Sequence, residues 1–332
     1  MNVALIGTRR AAAHARWLAA APGLTLVGVA YDTDEQAAVR LASGHPAAEV
    51  TADALSLVKR EDVDMVVVAT PPRAHEEIVA LALHRDLRVV CETPLAADRT
   101  TALRLSELAE LRGARAYASF PWRHNEALCE ARSWILRADV GEILAVDMTL
   151  HDDSHLGPGT RWSWRQRLGE GGALMELAPH LFDLLRWMTG VSAWDVSSAW
   201  THRLSDMRHG PHGRSVVEVD DMAQVELTAF GQVTRARVMA SRVCPERSLQ
   251  LVFTGGKGIL RVTADPTDGS ATLTLKTGSR SVQRLAAPDR MNPYTRLDDD
   301  DPSHTRATFD DGLLALRTAH AALALATLQN EA

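Results

Sequence analysis

Cysteine is scarce in this chain of 332 residues. There are three, Cys91, Cys129 and Cys244, far apart and odd in number. That excludes a disulfide framework, offers no metal-ligand spacing and suits a reduced, cytoplasmic setting. Long apolar runs are absent as well: none approaches the ~20 residues of a membrane-spanning helix. Basic charge is not in excess, since the formal net charge is -6, so no nucleic-acid partner is expected. The opening Met1-Asn2-Val3-Ala4-Leu5-Ile6-Gly7 has no basic leader and goes straight into a strand pattern, so no signal peptide is expected. What is present is ordinary globular composition, 46% hydrophobic and 23% charged, long enough for two domains with a core each.

The first part of the chain alternates short apolar runs with helical stretches. Val3-Ala4-Leu5-Ile6, 24–30, Met65-Val66-Val67-Val68-Ala69, 87–91 and 115–119 read as strands. Helices are expected over 14–21, 35–43, 75–85 and 100–112. Such alternation predicts a doubly wound parallel sheet, an α/β domain over 1–119. From residue 120 the texture changes. A helix over 126–135 precedes segments with period-2 alternation at 143–148, 223–228, 233–238 and 249–253, the middle two forming a hairpin around Phe230-Gly231. Strands with one buried face predict an open, mostly antiparallel sheet in an α+β domain over 120–332. The chain closes with an Ala/Leu-rich helix over 309–328. Segments 203–215 and 287–303, the latter with the acidic run 298–301, read as loops.

A strand, a glycine turn, a helix and an acidic residue closing the second strand make a dinucleotide-binding pattern. Here the turn is Gly7-Thr8-Arg9-Arg10-Ala11-Ala12. Only the first of three expected glycines is kept. Arg9 stands where a glycine lets backbone approach the pyrophosphate, and it either crowds the phosphates or lies across them as a cation. Asp32 falls where a carboxylate binds ribose hydroxyls and repels a 2′-phosphate, which favours NAD over NADP; Arg9 and Arg10 weaken that preference. Taken alone, the glycine fragment also fits a plain tight turn, and Asp32 a solvated strand end.

Several further motifs fall in a fixed order: Ala69-Thr70-Pro71-Pro72 with His75 opening a helix, Glu92-Thr93-Pro94, and Gly171-Gly172-Ala173-Leu174-Met175-Glu176-Leu177-Ala178-Pro179-His180 before an apolar helix. With Gly255-Gly256-Lys257-Gly258 and Asp311-Gly312, the chain over nearly its whole length resembles the glucose-fructose oxidoreductase / inositol 2-dehydrogenase / rhizopine-catabolism (Gfo/Idh/MocA) family. The resemblance implies a Rossmann domain, a second α/β domain whose open sheet often joins dimers or tetramers, and NAD(P)-dependent oxidation or reduction of sugars, cyclitols and related compounds. It implies that Thr70, Pro71, His75, Glu92 and Pro94 lie along the cofactor, with a cis bond before Pro94, and that Arg123 sits at the domain junction and contacts substrate. The family's catalytic pair is a lysine, replaced here by the shorter, uncharged Thr93, and a histidine matched by His180. An aspartate four residues before that histidine is here Glu176.

Glu176 and His180, four apart at a helix start, are expected to share a face, so that the carboxylate orients the imidazole. His180 then serves as general acid/base with Glu176 behind it and Thr93 as a hydrogen-bond donor. A helix-face ion pair without chemistry is the plainer reading of the same two residues. Trp122, Trp162 and Trp164 are expected to line the substrate pocket or to pack the domain interface. The run His151-Asp152-Asp153-Ser154-His155 reads as a solvated loop, and no metal is expected. The expectation is thus an NAD(P)-dependent oxidoreductase of small polar substrates, forming a homodimer or homotetramer. Thr93 keeps two alternatives open: an imine reductase or non-redox enzyme on the same scaffold, and a catalytically silent ligand-binding relative.

Overall fold

The computed structural model describes residues 1–330 except 9, 158, 169, 211–212, 232, 288–290 and 296–304, and for 327–330 the backbone alone. The acidic run 298–301 therefore lies outside the described residues. The chain divides into two compact units. The first comprises Met1–Pro121 and Asn292–Leu313, the second Trp122–Met291 and Leu314–Ala332.

The first unit is built by β1 (Asn2–Ile6), α1 (Ala11–Ala20), β2 (Thr25–Ala30), α2 (Glu35–Ala42), β3 (Glu49–Thr51), α3 (Ala54–Lys59), β4 (Met65–Val68), α4 (His75–His84), β5 (Arg88–Cys91), α5 (Arg99–Leu111) and β6 (Ala116–Ala118). Sheet order is β6-β5-β4-β1-β2-β3, with the two-residue strand Ala307–Thr308 added at the β6 edge. The six named strands pair in parallel and the added strand runs antiparallel to β6. Parallel strands covered on both faces need continuous apolar runs, and Met65, Val66, Val67 and Val68 are all fully buried. Each such side chain contributes roughly 1.5–3 kcal/mol on burial. Helix starts are fixed by Asp34, Asp53 and Asp98, whose carboxylates accept the N–H of Ala37, Ser56 and Thr101. The chain goes from β1 to β2 and β3 on one side, then returns to β4 on the other. The crevice outside the carboxyl ends of β1 and β4 is thus the switch point where ligands bind in such sheets. The short β3 and α3 had no distinct signal in the sequence.

The second unit contains α6 (Glu126–Leu136), β7 (Ile143–His151), α7 (Ala173–Glu176), α8 (Ala178–Thr189), β8 (Trp194–Arg203), β9 (Met207–Gly210), β10 (Gly213–Val216), β11 (Met222–Ala229), β12 (Arg235–Ser241), β13 (Ser248–Gly255), β14 (Gly258–Ala264), β15 (Ala271–Thr277) and β16 (Arg280–Ala286). Nine strands form one open sheet, β16-β15-β14-β13-β7-β12-β11-β8 followed by Thr327–Asn330. Pairing is antiparallel except for β7 with β12 and β8 with the last strand. The alternation in β11 is visible in the fold: Ala223, Val225, Leu227 and Ala229 are buried while their neighbours are half-buried. Helix α8 packs against β7 and β12, and α6 against α8. The division between units runs within the last helix, α9 (Phe309–Leu325).

Three boundaries differ from the sequence reading. Segment 203–215, expected as loop, contains the β9–β10 ribbon, whose backbone ladder pairs Met207 with Val216 and Gly210 with Gly213. The ribbon has no apolar alternation because little of it is buried. The final helix stops at Leu325, and the backbone of Thr327–Asn330 is a strand instead. Within 287–303, residues 292–295 are well tied down, with Asn292 and Tyr294 buried. No helix among the described residues is long and apolar enough to cross a membrane.

Candidate active site

In the first unit the turn after β1 carries the dinucleotide motif. Gly7 has φ +101 and sits so close to the end of β4 that a side-chain carbon there would lie 2.5 Å from the Ala69 carbonyl oxygen. Only glycine allows both the conformation and the approach. Its N–H donates to Ala30 O at 2.8 Å, tying the ends of β1 and β2. Asp32 follows β2, is exposed, and accepts the Thr33 hydroxyl at 3.0 Å. Arg9 lies outside the described residues. Thr70 and Pro71 are half-buried after β4, and the Thr70 hydroxyl oxygen is buried without a hydrogen-bond partner among the described residues. An orphaned hydroxyl of this kind invites a ligand. It joins Gly7 and the exposed Asp32 in fitting a bound dinucleotide.

Other predicted cofactor residues are engaged by the protein itself. His75 is fully buried; its Nε2 lies 3.0 Å from Thr70 O, and its Nδ1 lies 3.2 Å from Leu95 O and 3.3 Å from the Cys91 thiol. Burial pushes its pKa down despite the two carbonyls. The neutral ring has one N–H to give, and a backbone carbonyl faces each of its nitrogens. Burial pushes that thiol well above its usual pKa, so Cys91 keeps its proton. His75 therefore shapes the crevice from behind. Glu92 is 8% exposed, Thr93 4%, and the Thr93-Pro94 peptide is cis, as the resemblance implies. Arg10 turns from the start of α1 to Glu92, with Nη1 at 2.7 Å from Oε2 and 3.2 Å from Thr93 O. On its other side Glu92 meets His14 Nε2 at 2.8 Å from Oε1. The second nitrogen of His14 bonds the Tyr294 hydroxyl. Burial pushes the Glu92 carboxyl up, but the His14 hydrogen bond and the Arg10 charge outweigh it and hold the pKa far below the carboxylate range.

In the second unit, Glu176 ends α7 and His180 lies in α8 beyond a one-residue break at Leu177, rather than on one continuous helix. His180 is half-buried and its N–H donates to Leu177 O at 3.1 Å. Glu176 is fully buried and clamped by two arginines. Arg165 Nε donates to Oε1 at 2.8 Å, and Arg242 Nη2 donates to Oε2. Arg165 also lies over the Trp164 ring, 4.7 Å from its centroid, and Arg167 over Trp162 at 5.2 Å. Trp162 donates its indole N–H to Val216 O at 2.8 Å. Both tryptophans are half-buried. Ahead of α7, Gly172 has φ +94 and abuts Asp220, whose Oδ2 accepts the Leu174 N–H at 2.9 Å. Asp220 is 5% exposed, and burial pushes its pKa to about 7.

Arg123 is 3% exposed and forms a bidentate pair with Asp183 of α8, Nε to Oδ2 at 2.9 Å and Nη2 to Oδ1 at 2.5 Å. That ties 122–124 to α8 within the second unit. The run 151–155 is not a simple solvated loop. His155 is 4% exposed and lies 2.7 Å from Asp221 Oδ1 through Nδ1, while Gln166 faces its Nε2 at 3.1 Å. Asp153 pairs with Arg247 and Ser154 accepts from Arg242. Among the described residues no group of three or more His, Cys, Asp or Glu is placed to hold a metal ion. His14, Tyr294, Arg242 and Asp220 escaped the sequence reading, having no local signal. Arg165, in Arg161-Trp162-Ser163-Trp164-Arg165-Gln166-Arg167, lay beside residues already singled out.

The comparisons bear on these two halves separately. Residues 1–120 match the model of an oxidoreductase family with an NAD-binding Rossmann fold, and residues 128–261 match a GFO/IDH/MocA C-terminal domain. A levoglucosan dehydrogenase of Pseudarthrobacter phenanthrenivorans is 26% identical over 247 residues, 70% of this chain; the match spans 63% of that relative's length. The structure of a levoglucosan dehydrogenase with NADH and levoglucosan superposes with a TM-score of 0.82 at 21% identity, covering 98% of this chain and 96% of that one. KijD10, a 3-ketoreductase from Actinomadura kijaniata in complex with NADP and TDP-benzene, gives 0.82 at 20% identity, covering 100% and 99%. These structures share the α/β Rossmann fold followed by the open sheet. With both family models matched in order across most of its length, the chain belongs to the Gfo/Idh/MocA family of NAD(P)-binding oxidoreductases.

Proposed function

We propose that this protein is an NAD-linked oxidoreductase that moves a hydride to or from a small polar substrate of the sugar or cyclitol class, with His180 as acid/base. The observation that carries the cofactor reading is the crevice formed by Gly7, the orphaned Thr70 hydroxyl and the exposed Asp32. The nicotinamide, when bound, supplies or accepts the hydride. Asp32 would hold the adenosine ribose, and its charge disfavours a 2′-phosphate. The arginine at 10, which the sequence left free to offset that preference, is drawn toward Glu92. On the substrate side, half-buried His180 holds or releases the proton of the reacting hydroxyl. Arg165 and Arg242 neutralise Glu176, so this carboxylate braces the corner that carries His180. Trp162 and Trp164 offer ring faces to a sugar. A homodimer or homotetramer remains part of this reading.

Tryptophan-fluorescence titration with NADH and NADPH tests the cofactor, and a screen of sugars and cyclitols with His180→Ala as control tests the reaction. The expected result is saturable NADH binding that is tighter than NADPH binding, with Asp32→Ala erasing the difference. His180→Ala should lower turnover by roughly 10²–10⁴-fold and leave NADH binding intact. Equal turnover by His180→Ala would remove the assignment. A second reading is favoured by Thr93, which is buried and uncharged: reduction of an imine, or a non-redox step, needs less help from that position. Turnover of cyclic imines with no turnover of any polyol would select it.

A further inference from the structure

Four side chains of the first unit form one chain of hydrogen bonds, Tyr294 to His14 to Glu92 to Arg10, ending on the Thr93 carbonyl and buried except at Arg10. They come from well-separated parts of the sequence, α1, the end of β5 and 292–295. His14 is 1% exposed, Tyr294 4% and Glu92 8%. Their chemistry fixes the direction of the bonds that Glu92 and Arg10 make. Glu92 is ionised and only accepts, so His14 donates to it from Nε2. Its Nδ1 meets the Tyr294 hydroxyl, a group with both a donor and an acceptor to offer. Arg10 has only donors and gives one to Glu92 and one to Thr93 O. Each of the four side chains thus has a partner within the chain, and a paired buried network rigidifies what it holds. The tyrosine is anchored in turn. Asn292 donates from Nδ2 to Trp17 O at 2.8 Å and accepts the Tyr294 N–H at 2.9 Å, and Trp17 stands edge-on to His14 at 5.3 Å.

The geometry points to Tyr294, His14 and Arg10 as positioning residues that set the Glu92–Thr93 turn against the dinucleotide crevice. The turn lies at the carboxyl end of β5, beside the end of β4 at the switch point. It carries Thr93, and none of the three need touch the cofactor to act on it. Tyr294 is linked to the turn through His14, and His14 through Glu92. A slack bond anywhere in the chain is felt at Thr93. The role of the turn in cofactor binding rests on the proposed function; the wiring of the turn does not.

The test uses the full-length protein, with backbone amide and histidine ¹⁵N NMR and NADH titration on Tyr294→Phe, Arg10→Met and Arg10→Lys. In the wild type the His14 ring should carry a proton on Nε2, toward Glu92. Tyr294→Phe, which keeps the ring in the core, should shift the amides of Glu92, Thr93 and Leu95 and weaken NADH binding about tenfold, the loss of one hydrogen bond of about 1.4 kcal/mol. Arg10→Met should do the same, and Arg10→Lys should recover part of it, which a purely space-filling role would not allow. Unmoved amides at Glu92, Thr93 and Leu95 in both Tyr294→Phe and Arg10→Met overturn the proposal, as does a His14 ring with no proton on Nε2. If the wild type binds no nucleotide, the cofactor reading fails by itself, and the amide shifts still judge the array.

Discussion

Glu92 and Asp220 are withdrawn from water to nearly the same degree, at 8% and 5% exposure, yet their protons are held very differently. Glu92, in the first unit, is pushed far down; Asp220, in the second, is pushed to about 7. Burial raises both. Glu92 then receives a guanidinium and an imidazole, whereas Asp220 receives a backbone N–H from Leu174 and lies beside a second carboxylate, Asp221. Asp221 is itself held below its usual range: burial pushes it up, but its partner His155 and other donors prevail. The comparison teaches that the partners a buried acid is given decide its charge, and that depth alone does not.

The sharpest way to extend this contrast is at Glu176, which has two arginines and no exposure. Glu176→Leu should leave Arg165 and Arg242 facing an apolar side chain and destabilise the fold by about 3–5 kcal/mol in urea unfolding. A loss below about 1 kcal/mol would mean that the clamp is already open to water. Next come paired isosteres with opposite pH signatures. Glu92 is depressed, so its contribution is present above its unfolded pKa and is lost as pH falls below it. Glu92→Gln should cost about 1–3 kcal/mol at pH 7, with the deficit shrinking below pH 4.5. Asp220 is raised, so its contribution is full below its unfolded pKa of 3.8 and is lost as pH rises to about 7. Asp220→Asn should therefore stabilise the protein by about 1–3 kcal/mol at pH 8 and by little at pH 4. The same slope in wild type and Asp220→Asn, read from melting temperatures across this range, would contradict the assignment. The smallest effect is expected where both partners are wet. Arg237 and Asp147 meet at 2.6 Å with side chains 56% and 43% exposed, and Asp147→Ala should change stability by less than about 1 kcal/mol.

Much of the fold was legible because its signals are local. Runs such as Met65-Val66-Val67-Val68 announce a strand buried on both faces, and the alternation of β11 one buried on a single face. The β9–β10 ribbon was not legible, since its stability comes from backbone pairing with little burial. At the site, Gly7 and Asp32 could be named because their motif is compact. Their supports could not. His14 sits in an alanine-rich helix, and its partners lie at 92 and 294. The clamp on Glu176 was not legible either, because the sequence spacing said nothing of Arg242 arriving at the end of β12.

The return of 292–313 to the first unit also fixes an order of events in biosynthesis. Translation delivers β1 to β6 long before it delivers Tyr294, which belongs to their core, and the strand Ala307–Thr308, which covers the β6 edge. Until then the nascent nucleotide-binding half has an open edge, the kind of surface on which unfinished chains pair with one another. All of the second sheet except its last strand, Thr327–Asn330, is made in the interval. A ribosome that stalls within it would leave a first half that is neither closed at its edge nor filled at α1.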